Sequence, residues 1–155
     1  MLRKFLVVSL AVLTLASCKK DKDDSPAYSL SAKVDGTSQA FNTGVTAQKT
    51  GDAQTGYIVA ITGLGGTASS PFPSFTVYVY SDAAVVAKAY TAANGEAAGA
   101  YIAADQSIFT GDSDFTVTIS SINDTNVSGT FSGKVEDGSG GLKTISEGAF
   151  SAKFQ

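Results

Sequence analysis

The final third of the chain alternates apolar and polar residues with a period of two, and this pattern constrains the fold more than any other feature. Phe115, Val117 and Ile119 alternate with polar residues, and the alternation resumes over 127–135. Successive side chains of a β-strand point to opposite faces, so this pattern is typical of strands with one buried face. Turn residues at 137–141 precede a last apolar-polar segment. We therefore expect an antiparallel meander here.

Earlier segments carry the same signal. Residues 28–35, 57–62 and 75–80 also alternate, and Asp35-Gly36 after the first of them is a strong hairpin signal. Short strands separated by Gly, Asn and Asp turns predict an all-β fold. We expect one domain, an antiparallel β-sandwich of about nine to ten strands, with a lipocalin-like β-barrel as the alternative.

Two segments leave local structure open. Residues 83–104 contain eleven alanines, which favours a helix at 83–93. The preferred interpretation is two strands joined at Asn94-Gly95, a dipeptide that suits a tight turn. In the last strand, Ser146-Glu147-Gly148 interrupts the alternation, and we expect a β-bulge there.

The N-terminus has the order of a secretory signal. Arg3 and Lys4 precede an apolar run of twelve residues, 5–16, and small residues follow it. A membrane-spanning helix needs about 20 apolar residues, so this run is too short to be one. A basic start, a short apolar stretch and a small-residue end are typical of a signal peptide. We expect residues 1–17 to be removed on export.

The end of this segment resembles the lipobox of bacterial lipoproteins. Leu15-Ala16-Ser17-Cys18 places the single cysteine of the chain directly after the apolar run. The resemblance implies cleavage between Ser17 and Cys18, a diacylglyceryl thioether on Cys18 and an acylated (palmitate-type) amino group. Two or more acyl chains anchor a protein stably in a membrane. The alternative is an ordinary signal peptide with Cys18 as a free thiol.

A charged segment separates the cysteine from the first strand. Residues 18–27 include the run Lys-Lys-Asp-Lys-Asp-Asp-Ser-Pro, which has nothing to bury and is typical of a solvated tether. It resembles the lysine- and aspartate-rich export signal of surface lipoproteins in Bacteroidetes. That resemblance implies an outer-membrane protein displayed at the cell surface, with the periplasmic face as the alternative. The single β-domain then occupies 28–155.

Four segments of the domain resemble a family of Bacteroidetes lipoproteins whose β-rich domain has no assigned function. They are 32–36 (Ala-Lys-Val-Asp-Gly), 119–124 (Ile-Ser-Ser-Ile-Asn-Asp), 127–132 (Val-Ser-Gly-Thr-Phe-Ser) and 145–150 (Ile-Ser-Glu-Gly-Ala-Phe). These motifs mark a hairpin, a strand exit and two strands. The resemblance brings no catalytic residue with it.

Composition excludes several classes of function. The chain has no histidine and no tryptophan, so histidine-based triads and histidine-ligated metal sites are excluded. Its 11 basic and 14 acidic residues are scattered without a basic stripe, which argues against nucleic-acid binding. We predict no cofactor, no metal site and no catalytic residue.

Acidic residues are the remaining candidates for chemistry. Asp112 and Asp114 flank a serine, but no further acid follows at a calcium-loop spacing, so we interpret them as turn residues. A glycosidase needs two facing carboxyl groups, and no spacing in the chain singles out a pair. The acids considered for such a pair are Glu96, Asp105, Glu136, Asp137 and Glu147.

Tyr78 and Tyr80 form the one candidate binding surface. They share the face of a strand opposite Phe75, Val77 and Val79, and exposed aromatic rings could stack on a sugar or a peptide. The alternative is that they cover a packed second face. We expect a lipid-anchored, non-catalytic binding or structural module whose partners are membrane lipid, through Cys18, and a glycan, peptide or envelope protein. The alternatives are a carboxylate-based hydrolase of surface polysaccharide and a lipocalin-like carrier or inhibitor.

Overall fold

A computed structural model describes residues 28–67, 69–111 and 114–155, so the signal segment and Cys18 lie outside the described residues. The described part of the chain folds into eleven strands and one short 3₁₀ turn, Ala92–Asn94. The strands are β1 Ser29–Val34, β2 Thr37–Ala40, β3 Thr43–Asp52, β4 Gly56–Leu64, β5 Ser74–Ser81, β6 Ala89–Thr91, β7 Ala97–Ile102, β8 Ile108–Gly111, β9 Thr116–Ile122, β10 Asn126–Glu136 and β11 Leu142–Lys153.

The strands form one antiparallel sheet in the order β2-β1-β11-β10-β8-β7-β5-β4-β3. The long strand β10 divides its pairing between two neighbours. Its first half pairs with β9, and its end, at Val135 and Glu136, pairs with β8. Strand β6 pairs with the edge of β9 that β10 does not occupy. The meander β9-β10-β11 predicted for the last third is present.

The sheet is curled, and its two outermost strands are consecutive in the chain. Strands β2 and β3 lie at opposite ends of the strand order, yet only Phe41 and Asn42 separate them in the chain. The Phe41 amide donates to the carbonyl of Leu30 on β1 at 2.7 Å. Ala47 of β3 forms a parallel bridge with Phe154. One short chain segment therefore joins the two edge strands of the curled sheet.

The all-β, antiparallel prediction is confirmed. The described residues hold eleven strands rather than nine or ten, and a single strongly curled sheet combines features of the sandwich and the barrel that sequence left as alternatives. Residues 83–104 form strands β6 and β7, as preferred, with the 3₁₀ turn between them instead of a helix at 83–93. The two strands do not form a hairpin, because β6 pairs with β9 and β7 pairs with β5 and β8.

Both local turn predictions are confirmed. Asp35 and Gly36 have φ angles of 50° and 79°, and two successive positive φ angles characterise the turn that suits a twisted hairpin. At the expected bulge, Glu147 has a φ of 50° and the register shifts against both neighbouring strands. The next residue must be glycine, because a Cβ on Gly148 would collide with the carbonyl of Phe131.

The interior of the curled sheet is filled by aromatic side chains. The Phe75 and Phe131 ring centroids lie 5.0 Å apart, and contacts at 5.7–6.3 Å extend this pair into one connected group, the aromatic core. Its seven members are Phe41, Phe75, Tyr101, Phe109, Phe115, Phe131 and Phe150. These rings occupy the space in which a lipocalin-like carrier would hold its ligand. In the described residues, no helix has the length and apolarity needed to cross a membrane.

The curled sheet has two ends. At the Tyr28 end, β1 begins, β11 ends and the Tyr28 hydroxyl donates to Asn126 Oδ1 at 3.1 Å. At the Asp35 end, β1 turns into β2 and β11 begins. The segment before Tyr28 therefore joins the domain at the end opposite the Asp35 turn.

Candidate functional site

Four of the tyrosines divide into a buried pair and a partly exposed pair. Tyr90 is fully buried and Tyr101 is 5% exposed, whereas Tyr78 and Tyr80 are only partly buried. The Tyr78 and Tyr80 rings are parallel to within 9°, with centroids 6.1 Å apart. The two rings therefore stack on each other, and their partly exposed surfaces can contact a ligand.

Small neighbours flank Tyr78 on both sides, whereas Tyr80 has larger neighbours. Tyr78 is paired with Ala60 on β4 and with Ala98 on β7. Tyr80 is paired with Ile58 on β4, and its amide donates to the carbonyl of Glu96 at 2.8 Å. Alanine cannot reach as far from the sheet as a phenol ring. We define the tyrosine face as Ile58, Ala60, Tyr78, Tyr80 and Ala98.

On the side of Tyr78 away from Tyr80, the surface next to the tyrosine face is polar but uncharged, whereas Asp82 and Glu96 lie beside Tyr80. Thr62 and Thr76, on adjacent strands, approach to 3.1 Å between their hydroxyl oxygens. Among the described residues, a set of outward-facing residues that pair with one another across β3, β4, β5, β7 and β8 carries no charged side chain. They are Thr46, Gln48, Thr50, Ile58, Ala60, Thr62, Thr76, Tyr78, Tyr80, Ala98, Ala100 and Thr110.

A polar notch adjoins the tyrosine face beyond Tyr80. It has a volume of about 320 Å³, and Tyr80, Asp82, Asn94 and Glu96 line it. The Glu96 carboxylate forms an ion pair of 3.2 Å with Lys88. A ring surface beside carboxylate and amide groups can stack on one side of a sugar ring and accept hydrogen bonds from its hydroxyls.

The Tyr80 phenol is held in its neutral form. Burial, and secondarily the neighbouring Tyr78, raise the pKa of Tyr80 above the ordinary value for tyrosine. The hydroxyl therefore remains a hydrogen-bond donor as well as an acceptor at neutral pH.

The acids considered for a glycosidase pair lie in separate places. Glu147 forms an ion pair of 2.6 Å with Lys33 on the outer surface, and the Asp137 carboxylate accepts hydrogen bonds within its own turn. Asp105 lies at the Asp35 end, and Glu96 lies in the notch. The structure places Asp105 in one cleft with Asp35 and Glu96 in another with Asp82. The sequence analysis had singled out neither Asp35 nor Asp82.

Turn contacts keep several carboxylates ionised. Asp35 and Asp105 share the cleft at the Asp35 end, and both have lowered pKa values. For Asp35 the first cause is the hydrogen bond from Lys143, and for Asp105 it is the backbone amide of Ser107. A glycosidase needs one carboxyl group with a raised pKa that can donate a proton. This pair does not provide that group.

Two further acidic candidates are Asp112 and Asp114. Asp114 accepts a hydrogen bond from the Lys134 amide of β10 at 2.9 Å and forms an ion pair of 3.4 Å with the Lys134 side chain, so its contact is with a distant strand rather than with its own turn. Asp112, its partner in the rejected calcium motif, lies outside the described residues. The described part of the chain contains no group of three or more acidic or cysteine side chains placed to hold a metal ion.

Comparison of the chain with protein-family models, with curated proteins and with solved structures gives no match. The function must therefore be argued from the surface itself. Sequence pointed to Tyr78 and Tyr80 through their i, i+2 spacing on a strand. It gave no signal for the notch, because Asp82 and Glu96 come together only through the pairing of β5 with β7.

Proposed function

We propose that the chain is a non-catalytic, glycan-binding module, anchored by lipid on Cys18 at the outer membrane and displayed at the cell surface. The main support is the tyrosine face, where two parallel, partly exposed rings lie between uncharged polar residues on one side and a notch with Asp82 and Glu96 on the other. A neutral, hydroxyl-rich ligand matches such a surface better than an acidic polymer does, because Asp82 and Glu96 accept hydrogen bonds and repel negative charge. The polar notch beside Tyr80 supplies the hydrogen-bonding groups that a sugar also needs.

The outer face of β5 supports binding rather than structural use of the two tyrosines. Apart from Tyr90, the fully buried aromatic residues of the described chain contact other rings of the aromatic core, as Phe75 does with Phe41, Tyr101 and Phe131. Tyr78 and Tyr80 face away from that core. Large aromatic side chains that do not fill an interior are enriched at recognition surfaces.

The lipobox resemblance supports lipid anchoring, and the length of the tether is compatible with it. Residues 19–27 separate Cys18 from Tyr28, and an extended chain spans at most about 3.3–3.6 Å per residue, so this segment reaches roughly 30 Å. The resemblance to Bacteroidetes lipoproteins supports the same address. The Tyr28 end of the domain is then the end that faces the membrane.

Binding is tested on the mature chain, 18–155, carrying Cys18→Ala, which we call the unlipidated chain. It is titrated by calorimetry against neutral and acidic polysaccharides. We expect a neutral glycan to bind, and Tyr78→Ala or Tyr80→Ala to weaken it about ten-fold or more, because stacking contributes about 1–3 kcal/mol per ring at aromatic platforms. Tyr28→Ala, an aromatic change outside the tyrosine face, is the matched control. Equal loss in the control, or no binding at all, would contradict the proposal, and release of reducing ends would favour the hydrolase.

Anchoring is tested in cells. Cys18→Ala should move the protein from the membrane fraction to the soluble fraction, because it removes the acylated sulfur. Mass spectrometry of the native protein should show an N-terminal cysteine with acyl chains. A variant that still sediments with membranes would contradict lipid anchoring. Protease treatment of intact cells separates the two locations: degradation indicates surface display, and protection indicates the periplasmic face.

A further inference from the structure

The Asp35 end of the curled sheet opens into a cleft of about 550 Å³. Sites for small ligands commonly have volumes of about 300–1,000 Å³. The β1–β2 turn, the β7–β8 connection and the start of β11 form its walls, and the side chains of Val34, Tyr101 and Phe109 form an apolar floor. The cleft is separate from the tyrosine face, which lies on the outer surface of β4, β5 and β7.

One wall of the cleft carries an ion pair whose two members are bound to each other. Lys143 Nζ donates to Asp35 Oδ2 at 2.9 Å, and Asp35 Oδ1 accepts the Thr144 amide, also at 2.9 Å. The Lys143 ammonium also lies 5.7 Å from the centroid of the Phe109 ring. The hydrogen bond that Lys143 donates to Asp35 raises the pKa of Lys143, so its charge persists and is matched by the Asp35 carboxylate.

The opposite wall carries a second carboxylate. Asp105 lies in the turn between β7 and β8, where its Oδ1 accepts the Ser107 amide at 3.0 Å. The ion pairs found among the described residues do not include Asp105. Two carboxylates and one ammonium line the cleft, so their formal charges leave one net negative charge. Lys143 is hydrogen-bonded to Asp35 and acts on Asp105 only through space.

Neutral polar groups surround this charge. Thr37, Gln39 and Ser107 line the cleft between the two charged walls. The hydroxyl of Tyr101 donates to Gln39 Oε1 at 3.3 Å, which orients the amide. The cleft therefore combines an apolar floor, several hydrogen-bonding groups and a net negative charge, with one carboxylate, Asp105, outside the ion pairs of the described residues.

We propose that this cleft binds a small polar molecule through a primary ammonium group, with Asp105 as the counterion and with Gln39 and Ser107 hydrogen-bonding its neutral groups. Charge-assisted hydrogen bonds to a carboxylate are about twice as strong as neutral ones, so the ammonium provides the discriminating contact. An amino sugar and the free N-terminus of a short peptide both carry this group. The site does not depend on the tyrosine face, and it opens at the end opposite Tyr28.

The test uses the unlipidated chain and two pairs of probes, followed by backbone NMR titration. One pair is a glucosamine disaccharide and its N-acetylated form, and the other is an alanyl dipeptide amide with a free or an acetylated N-terminus. We expect the free amine of at least one pair to shift the amide signals of Gln39 and Ser107 and to bind about ten-fold or more tightly than its acetylated partner. The pair that responds identifies the source of the amine. Equal binding of free and acetylated forms in both pairs, or no binding, overturns the proposal.

Asp105→Asn and Asp52→Asn form a matched pair of variants. Both aspartates accept backbone amides within a turn, but Asp52 lies in the β3–β4 turn at the Tyr28 end. Asp105→Asn removes the charge and keeps an oxygen that can accept the Ser107 amide. We expect it to weaken amine binding about ten-fold or more, with no change in Asp52→Asn. The same effect in both variants, or none in either, contradicts the proposed role of Asp105.

Asp35→Asn provides an independent check in a variant that is expected to fold. Asn-Gly suits this turn at least as well as Asp-Gly, and the amide oxygen can still accept the Thr144 amide. The change leaves Lys143 without its counterion, so the lining loses its net negative charge. Amine binding should weaken several-fold, with the shifts still centred on Gln39 and Ser107. Unchanged affinity in this variant would argue against an electrostatic site.

Discussion

The two faces of strand β5 carry aromatic residues for different reasons. On the inner face, Phe75 is fully buried and lies within 5.0–6.1 Å of three other rings. On the outer face, three to five residues further along, Tyr78 and Tyr80 contact each other and remain partly exposed. All three residues lie in the same extended strand, so their different burial arises from what packs against each face of that strand.

The inner ring contributes to the stability of the fold, and the outer rings carry the proposed binding. An interior ring is required because the curled sheet encloses a volume that must be filled at close packing. An outward ring on a strand whose neighbours are Ala60 and Ala98 fills no such volume. Substitutions on the two faces should therefore affect different measurements.

The largest effect is expected for Phe75→Ala. Removal of a fully buried phenylalanine leaves a cavity among Phe41, Tyr101 and Phe131, and such changes lower the free energy of unfolding by about 3–5 kcal/mol. Tyr78→Ala should change it by less than about 1 kcal/mol, since cross-strand pairs contribute about 0.2–1 kcal/mol. Urea unfolding of the unlipidated chain, followed by circular dichroism, measures both. Similar losses in the two variants would remove the distinction between the faces.

A buried tyrosine extends the comparison to the hydroxyl group. Tyr90 is fully buried, and its hydroxyl both donates to the Val86 carbonyl at 3.0 Å and accepts the Val86 amide at 2.9 Å. These bonds hold the loop between β5 and β6, in which the Val86 side chain is 53% exposed.

Tyr90→Phe should therefore lower the free energy of unfolding by about 1–2 kcal/mol, because two backbone groups lose their partner while the ring stays in place. Hydrogen exchange should show faster exchange at the Val86 amide. Tyr80→Phe, which also removes a single hydroxyl, is the matched control and should leave stability nearly unchanged. If the control lost as much stability as Tyr90→Phe, the outer hydroxyl would have to be structural.

Local features of the fold could be predicted from sequence, because they depend on neighbouring residues. The Asp35-Gly36 turn and the bulge at Glu147 follow from backbone preferences of two or three residues. The period-two segments became strands for the same reason. The parallel alignment of Tyr78 and Tyr80 follows from their positions on one strand.

Features that depend on distant pairing could not be predicted in this way. β1 pairs with β11, joining Ser29 to Ser151, and nothing near either residue specifies the other. The curl of the sheet through β2 and β3 arises only after those pairings form. Asp35, Asp105 and Lys143 are likewise far apart in sequence, so the cleft that they line emerges from topology rather than from a motif.

The smallest effect concerns the ionisation of the outer pair. Burial and the adjacent Tyr78 raise the pKa of Tyr80 above the ordinary value for tyrosine. The neutral phenol therefore stabilises the folded state fully below that ordinary value, and this contribution is lost as pH rises through the raised pKa. Tyr78→Phe removes the charge that Tyr78 would acquire and should lower the pKa of Tyr80 towards its ordinary value. NMR titration of the tyrosine ring carbons measures this shift, with Tyr28→Phe as the control. If Tyr80 titrated identically with and without Tyr78, the two rings would not be electrostatically coupled, and a glycan contacting one of them would leave the ionisation of the other unchanged.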